Sequence, residues 1–230
     1  MDPDDHSPPG LRPRPRPWVT WILLGSTVGM FLLQLYEAHR HHNVDVLGNA
    51  LAFGPRAWAA HHYWTLLTYA WAHATSIFGS PDLFWLHLVA NMIPLFCLGP
   101  ALEEFLGHAR FLGLYLGCAL AAALVWFLFN RSSFYSGQGI IGASGAVFGL
   151  IAAAGTAAPR APIVVYLFFV LPLRMNLGIL AVAACGAELV QLIFGWLPQV
   201  AHTAHLGGAA FGVLYISVLR LLSRRQRVRY

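Results

Sequence analysis

Residues 140–150 read IIGASGAVFGL, a stretch that places one serine among three glycines in an apolar segment. Gly142, Gly145 and Gly149 carry no side chain, so the backbone of another helix can come close to this segment. Ser144 follows the polar stretch NRSSFYSGQG at residues 130–139. Irregular backbone at membrane depth has to face protein or water, so we expect Ser144 to open onto water below the membrane surface. A helix that begins here also offers backbone N–H groups to a negative charge.

The composition around this stretch is typical of a membrane protein. Of the 230 residues, 58% are hydrophobic and 10% are charged, and the mean hydropathy is +0.61. Soluble domains are about half apolar and about a quarter charged. The net charge of +5 comes from arginines that mostly flank apolar runs, which argues against nucleic acid as a partner. The three cysteines lie in apolar segments without C-x-x-C spacing, and we expect them to be packing residues.

Six apolar runs have roughly the length of about 20 residues that crosses the hydrocarbon core of a bilayer. They cover residues 18–36, 83–102, 111–129, 142–158, 176–194 and 201–222. The run at 163–173 is too short to span and is expected to be a linker at the membrane surface. The sequence therefore predicts an all-α, polytopic bundle of six transmembrane helices.

Arginine placement supports six spans and predicts the topology. With both termini in the cytoplasm, 11 arginines lie inside and only Arg40, Arg56 and Arg131 lie outside. Residues 1–17 are expected to be a disordered cytoplasmic tail, 18–222 the membrane domain and 223–230 a basic cytoplasmic tail. The loop at 37–82 is rich in tryptophan and histidine, and we expect it to be partly helical and embedded in the outer leaflet.

Polar side chains inside a membrane span cost free energy, so the few that occur here are candidates for a functional site. Ser144 alone is more consistent with a close helix interface than with chemistry, and it lacks the G-x-S-x-G pattern of hydrolases. His205 changes this interpretation, because Gly208 and Gly212 follow it on one face of the last span. If this face packs on the face of Ser144, an imidazole comes within reach of the hydroxyl and can activate it as a nucleophile.

His87 and Asn91 lie four residues apart on one face of the second span. Both side chains can donate hydrogen bonds to the oxyanion that forms during acyl transfer. The backbone N–H of Ala143 is a third candidate donor. A polar contact between helices is an equally good interpretation of His87 and Asn91.

Together these segments resemble the rhomboid family of intramembrane serine proteases, from about residue 18 to residue 222. The resemblance implies a Ser144 and His205 dyad, His87 and Asn91 at the oxyanion, and small-residue packing at Gly142, Gly145, Gly208 and Gly212. Glu103, between Gly99 and Gly107, is similar to the structural motif on the inner side of the family, and Trp64 and Thr68 are similar to its first-loop signature.

The sequence departs from the family pattern at three places. Thr65 occupies an arginine position beside Trp64, Phe148 replaces a tyrosine found under the catalytic histidine, and the stretch between His73 and His87 is long. Phe148 still offers a ring on which His205 can stack.

The 11 histidines raise the question of a metal enzyme, but no H-E-x-x-H occurs. We expect adventitious surface binding of metal at most, and neither a catalytic metal nor a cofactor. Glu188 is interpreted as a hydrogen-bonding residue between helices and not as an orienting carboxylate.

The resemblance implies a serine endopeptidase whose partners are the lipid bilayer and single-span membrane protein substrates. We expect the protein in the plasma (inner) membrane. The alternative function is that of an inactive rhomboid-like protein that binds membrane clients without cutting them.

Overall fold

The structure, a computed structural model, describes residues 16–42, 44–75, 84–130, 139–167 and 170–227. Four segments named above lie wholly or largely outside this part of the chain. They are the predicted first tail, residues 131–138 of the polar loop, the long stretch between His73 and His87, and the last three residues. The helices in chain order are α1 Trp18–Arg40, α2 Val46–Leu51, α3 Pro55–Ala59, α4 Thr65–Thr68, α5 Phe84–Leu106, α6 His108–Phe129, α7 Ser144–Ala157, α8 Leu177–Phe194 and α9 His202–Arg227.

Five of these helices, α1, α5, α6, α8 and α9, are long and apolar enough to cross a membrane. They correspond to five of the six predicted spans, and the described part of the chain holds no further helix of that length. The remaining predicted span, 142–158, contains α7, which has 14 residues and is therefore about 21 Å long. Three of the predicted spans end too early, because α1, α5 and α9 continue past the apolar runs into polar residues.

The expectation of an all-α chain is wrong at one place. The predicted linker at 163–173 lies in an antiparallel hairpin of β1 Pro162–Leu167 and β2 Leu171–Asn176, which pairs Val164 with Arg174. Branched residues such as Ile163, Val164 and Val165 favour extended backbone, and a short apolar run cannot be told from a helix by its hydropathy alone. The hairpin ends where the Asn176 side chain accepts a hydrogen bond from the Ile179 N–H and begins α8.

The core of the molecule surrounds α7, whose residues from Gly145 to Gly155 are buried on nearly every side. Helix α9 packs along α7 and α6, and the other long helices enclose them. At the crossing of α7 and α9, Gly208 faces the carbonyl oxygen of Gly145, and Gly212 faces that of Gly149. A methyl group at either position would collide with backbone, so the close approach predicted from the glycine spacing is present.

Glu103 near the end of α5 holds the beginning of α1. Its carboxylate accepts hydrogen bonds from the backbone N–H of Val19 at 2.9 Å, from the backbone N–H of Thr20 at 2.8 Å, and from the Thr20 hydroxyl at 2.6 Å. The first N–H groups of a helix have no partner within the helix, and a negative charge there is stabilising. Glu103 therefore has a structural role between two helices.

The segment between α1 and α5 is partly helical where it is described, with α2, α3, α4 and a 3₁₀ turn at Tyr69–Trp71. Tyr69 is buried, its hydroxyl donates to the Ala119 carbonyl at 2.7 Å, and its own carbonyl accepts from the Gly142 N–H at 2.9 Å. Thr65, at the departure from the family pattern, is fully buried, and its hydroxyl donates to the His62 carbonyl at 2.6 Å. This segment therefore packs directly against the residues that precede α7.

Candidate active site

Ser144 and His205 lie side by side at the beginnings of α7 and α9. The Ser144 hydroxyl oxygen is 2.7 Å from His205 Nε2, which is hydrogen-bonding distance. Ser144 is half-buried and His205 is buried. The contact follows from the glycine crossing, because the paired glycines below it bring the first turns of the two helices together.

The His205 ring stacks on Phe148, one turn further along α7. The ring centroids are 4.5 Å apart and the planes are inclined by 8°. The replacement of the family's tyrosine by phenylalanine thus keeps a ring face under the imidazole. The stacking fixes the plane of His205 and directs Nε2 toward Ser144.

Glu188 on α8 is the third side chain of this cluster, and the sequence analysis assigned it too small a part. Its Oε2 lies 3.0 Å from His205 Nδ1, within ion-pair distance but out of line for a well-directed hydrogen bond. The same oxygen lies 2.6 Å from Nδ1 of His202. Glu188 is therefore the expected link between helices, and it also places a carboxylate beside the imidazole of His205.

His202, three residues before His205 on α9, is also buried. Its Nε2 faces two carbonyl oxygens, that of Trp196 at 2.9 Å and that of Leu197 at 3.2 Å. Carbonyl oxygens only accept, so Nε2 carries a proton. Nδ1 of His202 is thereby directed at the Glu188 carboxylate.

His87 packs against the backbone just before Ser144. Nδ1 of His87 accepts a hydrogen bond from the Ala74 N–H at 3.1 Å, so the proton of the neutral ring is on Nε2. A Cβ atom at Gly142 would lie 2.8 Å from His87 Nε2, and Gly142 has a φ of 112°. Only glycine combines this backbone conformation with so close an imidazole.

Asn91 is buried but turned toward its own helix. Its side-chain Nδ2 donates to the His87 carbonyl at 2.7 Å, and Oδ1 has no hydrogen-bond partner in the described part of the chain. In the described part of the chain, Asn91 is thus hydrogen-bonded to His87 and makes no hydrogen bond to Ser144 or His205. The two residues that the sequence analysis treated alike differ in what they offer to the site.

Ala143, the third predicted oxyanion donor, is fully buried, and its N–H faces His73. The distance from the Ala143 N–H nitrogen to His73 Nε2 is 3.4 Å, a long hydrogen bond, while Nδ1 of His73 donates to the Trp71 carbonyl at 3.3 Å. Burial, together with the neighbouring His87 ring, lowers the pKa of His73 to about 3. The ring is therefore neutral at pH 7 and acts as an acceptor.

His73, His202 and the second contact of Glu188 are the features of the site that the sequence analysis missed. His73 looked like one of many loop histidines, and only its position beside Ala143 and His87 separates it from them. Glu188 and His202 lie on different helices, 14 residues apart, so no short motif connects them. An acid in the middle of one apolar run and a histidine at the beginning of the next was the only signal in the sequence.

Comparison with known proteins identifies the family. The Rhomboid domain matches residues 60–221. The chain is 32% identical over 190 residues to Rhomboid protein 1, mitochondrial, of Saccharomyces cerevisiae, covering 79% of this chain and 54% of the relative. It is 32% identical over 142 residues to Presenilin-associated rhomboid-like protein A, mitochondrial, of Danio rerio, covering 62% of this chain and 36% of the relative.

A third relative, RHOMBOID-like protein 5 of Arabidopsis thaliana, is 27% identical over 258 residues, covering 95% of this chain and 76% of the relative. The chain thus spans a third to a half of the length of the first two relatives. It belongs to the rhomboid family and is a multi-pass integral membrane protein.

Proposed function

We propose that this protein is an intramembrane serine endopeptidase in which Ser144 is the nucleophile and His205 its general base. The observation that carries the proposal is the 2.7 Å contact between the Ser144 hydroxyl and His205 Nε2. A serine hydroxyl is a weak nucleophile unless a base takes its proton during attack. The two side chains meet where two helices begin, which supplies that base in a fixed position.

In this proposal, Glu188 is the residue that orients the general base His205. Its negative charge at 3.0 Å favours a proton on His205 Nδ1, which leaves Nε2 free to accept from Ser144. The charge also stabilises the imidazolium formed when the serine proton moves to Nε2. His205 then gives that proton to the leaving amine, and a water molecule activated by the same nitrogen hydrolyses the acyl-enzyme.

The oxyanion formed by the attack needs hydrogen-bond donors near Ser144. His87 fits this role best, because its Nε2 carries the proton and lies beside Gly142. The Ala143 N–H already faces His73, and Asn91 supports His87 through the His87 carbonyl. We therefore assign the direct donation to His87 and a supporting part to Ala143 and Asn91.

The length of α7 supports cleavage inside the bilayer. We propose that α7 is the fourth span in chain order, which brings the number of spans to six, and that the segment between α1 and α5 lies in the outer leaflet, as expected from its tryptophans. A helix of about 21 Å is about 9 Å shorter than the hydrocarbon core of roughly 30 Å. Ser144 at its outer end then lies below the membrane surface, within reach of a transmembrane segment that has unwound.

The substrates that fit this site are single-span membrane proteins whose backbone can leave its helix near the cut. A peptide bond within a stable helix keeps its carbonyl in the helical hydrogen bond, so small or helix-breaking residues favour cleavage. We keep the plasma (inner) membrane as the proposed location. Two of the relatives are named as mitochondrial, so fractionation with markers for both membranes is the appropriate check.

The experiment compares Ser144→Ala and His205→Ala with Ser217→Ala, a serine on the exposed face of α9. A fluorophosphonate probe and a single-span substrate in lipid vesicles give two readouts. We expect labelling and cleavage by the wild type and by Ser217→Ala, and neither by the two site variants. Cleavage that persists in folded Ser144→Ala would overturn Ser144 as the nucleophile. A wild type that is neither labelled nor active would favour the client-binding alternative.

A further inference from the structure

Glu188, His202 and His205 form a cluster whose chemistry goes beyond the orientation of a base. One carboxylate oxygen and two imidazole nitrogens lie within 4.8 Å of one another, and all three side chains are buried. Two imidazoles and a carboxylate are a common set of ligands for Zn²⁺. The sequence analysis found no metal motif here, because these three residues come from two separate helices.

The second ring nitrogen of each histidine is arranged as metal ligands require. A histidine bound to a metal usually donates its other N–H to a carbonyl or another acceptor, which fixes the orientation of the ring. His202 Nε2 does so to the carbonyl oxygens of Trp196 and Leu197. His205 Nε2 faces the Ser144 hydroxyl oxygen, which can accept. Both Nδ1 atoms are therefore turned toward the Glu188 carboxylate.

A proton or a metal ion has to lie between His202 Nδ1 and the Glu188 carboxylate oxygen. Since His202 Nε2 carries its proton, Nδ1 of the neutral ring presents a lone pair to the carboxylate oxygen 2.6 Å away. Two acceptors at that distance repel each other unless a proton or a metal ion lies between them. A tetrahedral zinc ion with bonds of about 2.0–2.1 Å sets its ligands roughly 3.3 Å apart. The contacts of 2.6 Å and 3.0 Å between the Glu188 oxygen and the two Nδ1 atoms therefore have to lengthen by less than about 1 Å.

A cavity borders the cluster at His202. A cavity of about 620 Å³ lies between the ends of α6 and α8 and the beginning of α9, and His202 forms part of its wall. Other polar residues on the wall are Asn130, Gln191, Gln199 and Thr203. The cavity is large and polar enough to hold water, which can complete the coordination as a fourth ligand.

We propose that Glu188, His202 Nδ1 and His205 Nδ1 bind a zinc ion that reversibly inhibits the site. The ion displaces the protons from the Nδ1 atoms. The proton displaced from His202 Nδ1 leaves to water, whereas the proton displaced from His205 Nδ1 moves to Nε2 of the same ring. The neutral His205 then donates to Ser144 and can no longer accept the serine proton. The inhibitory effect rests on the proposed function, whereas the binding of zinc does not.

Binding is measured first, on the full chain in detergent or nanodiscs, by competition with a chromophoric zinc chelator and by the visible spectrum of Co²⁺ as a substitute ion. We expect one ion per chain and a tetrahedral Co²⁺ spectrum. Ser144→Ala should bind zinc as the wild type does, because the hydroxyl is not a ligand. His202→Ala and Glu188→Ala should each weaken binding by at least about tenfold.

The matched control removes the histidines that could bind metal adventitiously at the surface. They are exposed and lie at the end of α1 and in the following loop: His39, His41, His42, His61 and His62. A variant with all five replaced by alanine should keep the zinc stoichiometry and the Co²⁺ spectrum. Loss of binding in this variant, or binding retained in both His202→Ala and Glu188→Ala, would overturn the proposed site.

The inhibitory step is tested by fluorophosphonate labelling of Ser144 in the wild type. Stoichiometric zinc should suppress labelling at least about tenfold, and a chelator should restore it. A chain that binds zinc at this site but is never labelled keeps the metal site and contradicts the proposed protease. Labelling that zinc does not change, with the ion bound at these residues, overturns the inhibition.

Discussion

His87 and Asn91 lie on the same face of α5, but they differ in whether a side-chain hydrogen-bond donor is free. The Nε2–H of His87 lies beside Gly142, whereas the amide of Asn91 is bound to the His87 carbonyl. A donor that touches the oxyanion contributes only in the transition state, so its loss lowers turnover more than binding. The two residues should therefore separate in a kinetic experiment.

We predict that His87→Ala lowers single-turnover cleavage by about 10²–10³-fold with a small change in KM, the loss typical of a single oxyanion donor. Asn91→Ala should cost less, because its effect passes through the position of His87. Rates in lipid vesicles, with thermal stability measured in parallel, provide the comparison. If both variants lose the same amount of activity and the loss is explained by lower thermal stability, both side chains have only a packing role.

Glu188 is a positioning residue in the proposed mechanism. We predict that Glu188→Gln lowers kcat by at least about tenfold and at most about 10⁴-fold, the loss caused by replacing the orienting carboxylate of a serine-protease triad. KM should change little, and Glu188→Asp should restore part of kcat. An unchanged kcat in Glu188→Gln would leave the residue only as a hydrogen-bonding link to His202.

At the scale of elements, the crossing of α7 and α9 decides whether the site exists. Gly208 and Gly212 approach the carbonyl oxygens of Gly145 and Gly149 so closely that even a methyl group does not fit. The relative position of the two helices sets the distance from Ser144 to His205. A side chain in the crossing should thus affect the site without touching it.

Gly212→Ala should lower the stability by about 1–3 kcal/mol through overpacking and should also reduce labelling of Ser144. Gly186→Ala on α8 is the matched control, because nothing lies within 4 Å of a Cβ atom there. That substitution should be neutral or should stabilise the helix by up to about 1 kcal/mol. Thermal unfolding of both variants in the same detergent tests the difference, and similar behaviour would argue against a tight crossing.

At the scale of the whole molecule, the arginine distribution predicts the topology. With both termini cytoplasmic, the segment between α1 and α5 faces the outside, and α9 ends inside. This orientation is tested by introducing a cysteine at the exposed position Ala60 or Ser223 and comparing the accessibility of the two thiols from outside the cell. The background for both is a variant in which Cys97, Cys118 and Cys185 are replaced by alanine.

We expect Ala60→Cys to react with an impermeant thiol reagent in intact cells that carry the protein in their plasma membrane. Ser223→Cys should react only after permeabilisation. The physical reason is that short loops rich in arginine stay on the cytoplasmic side during insertion. Reaction of Ser223→Cys in intact cells would reverse the orientation or change the number of spans.

The sequence predicted most of the helices, because long apolar runs have few alternatives in a bilayer. It also predicted the contact of Ser144 with His205, since glycines at four-residue spacing indicate where two backbones meet. It did not predict the hairpin at Pro162–Leu167 and Leu171–Asn176, because hydropathy does not separate a short strand from a short helix.

The sequence by itself determined the family, the long apolar helices and the pair formed by Ser144 and His205, because local composition and short motifs carry this information. Only the tertiary structure decided that Glu188 and His202 join His205, that His73 accepts from Ala143, and that the Asn91 amide donates to the His87 carbonyl. These contacts join residues on different elements. Their geometry depends on how the helices cross, which no spacing within one helix encodes.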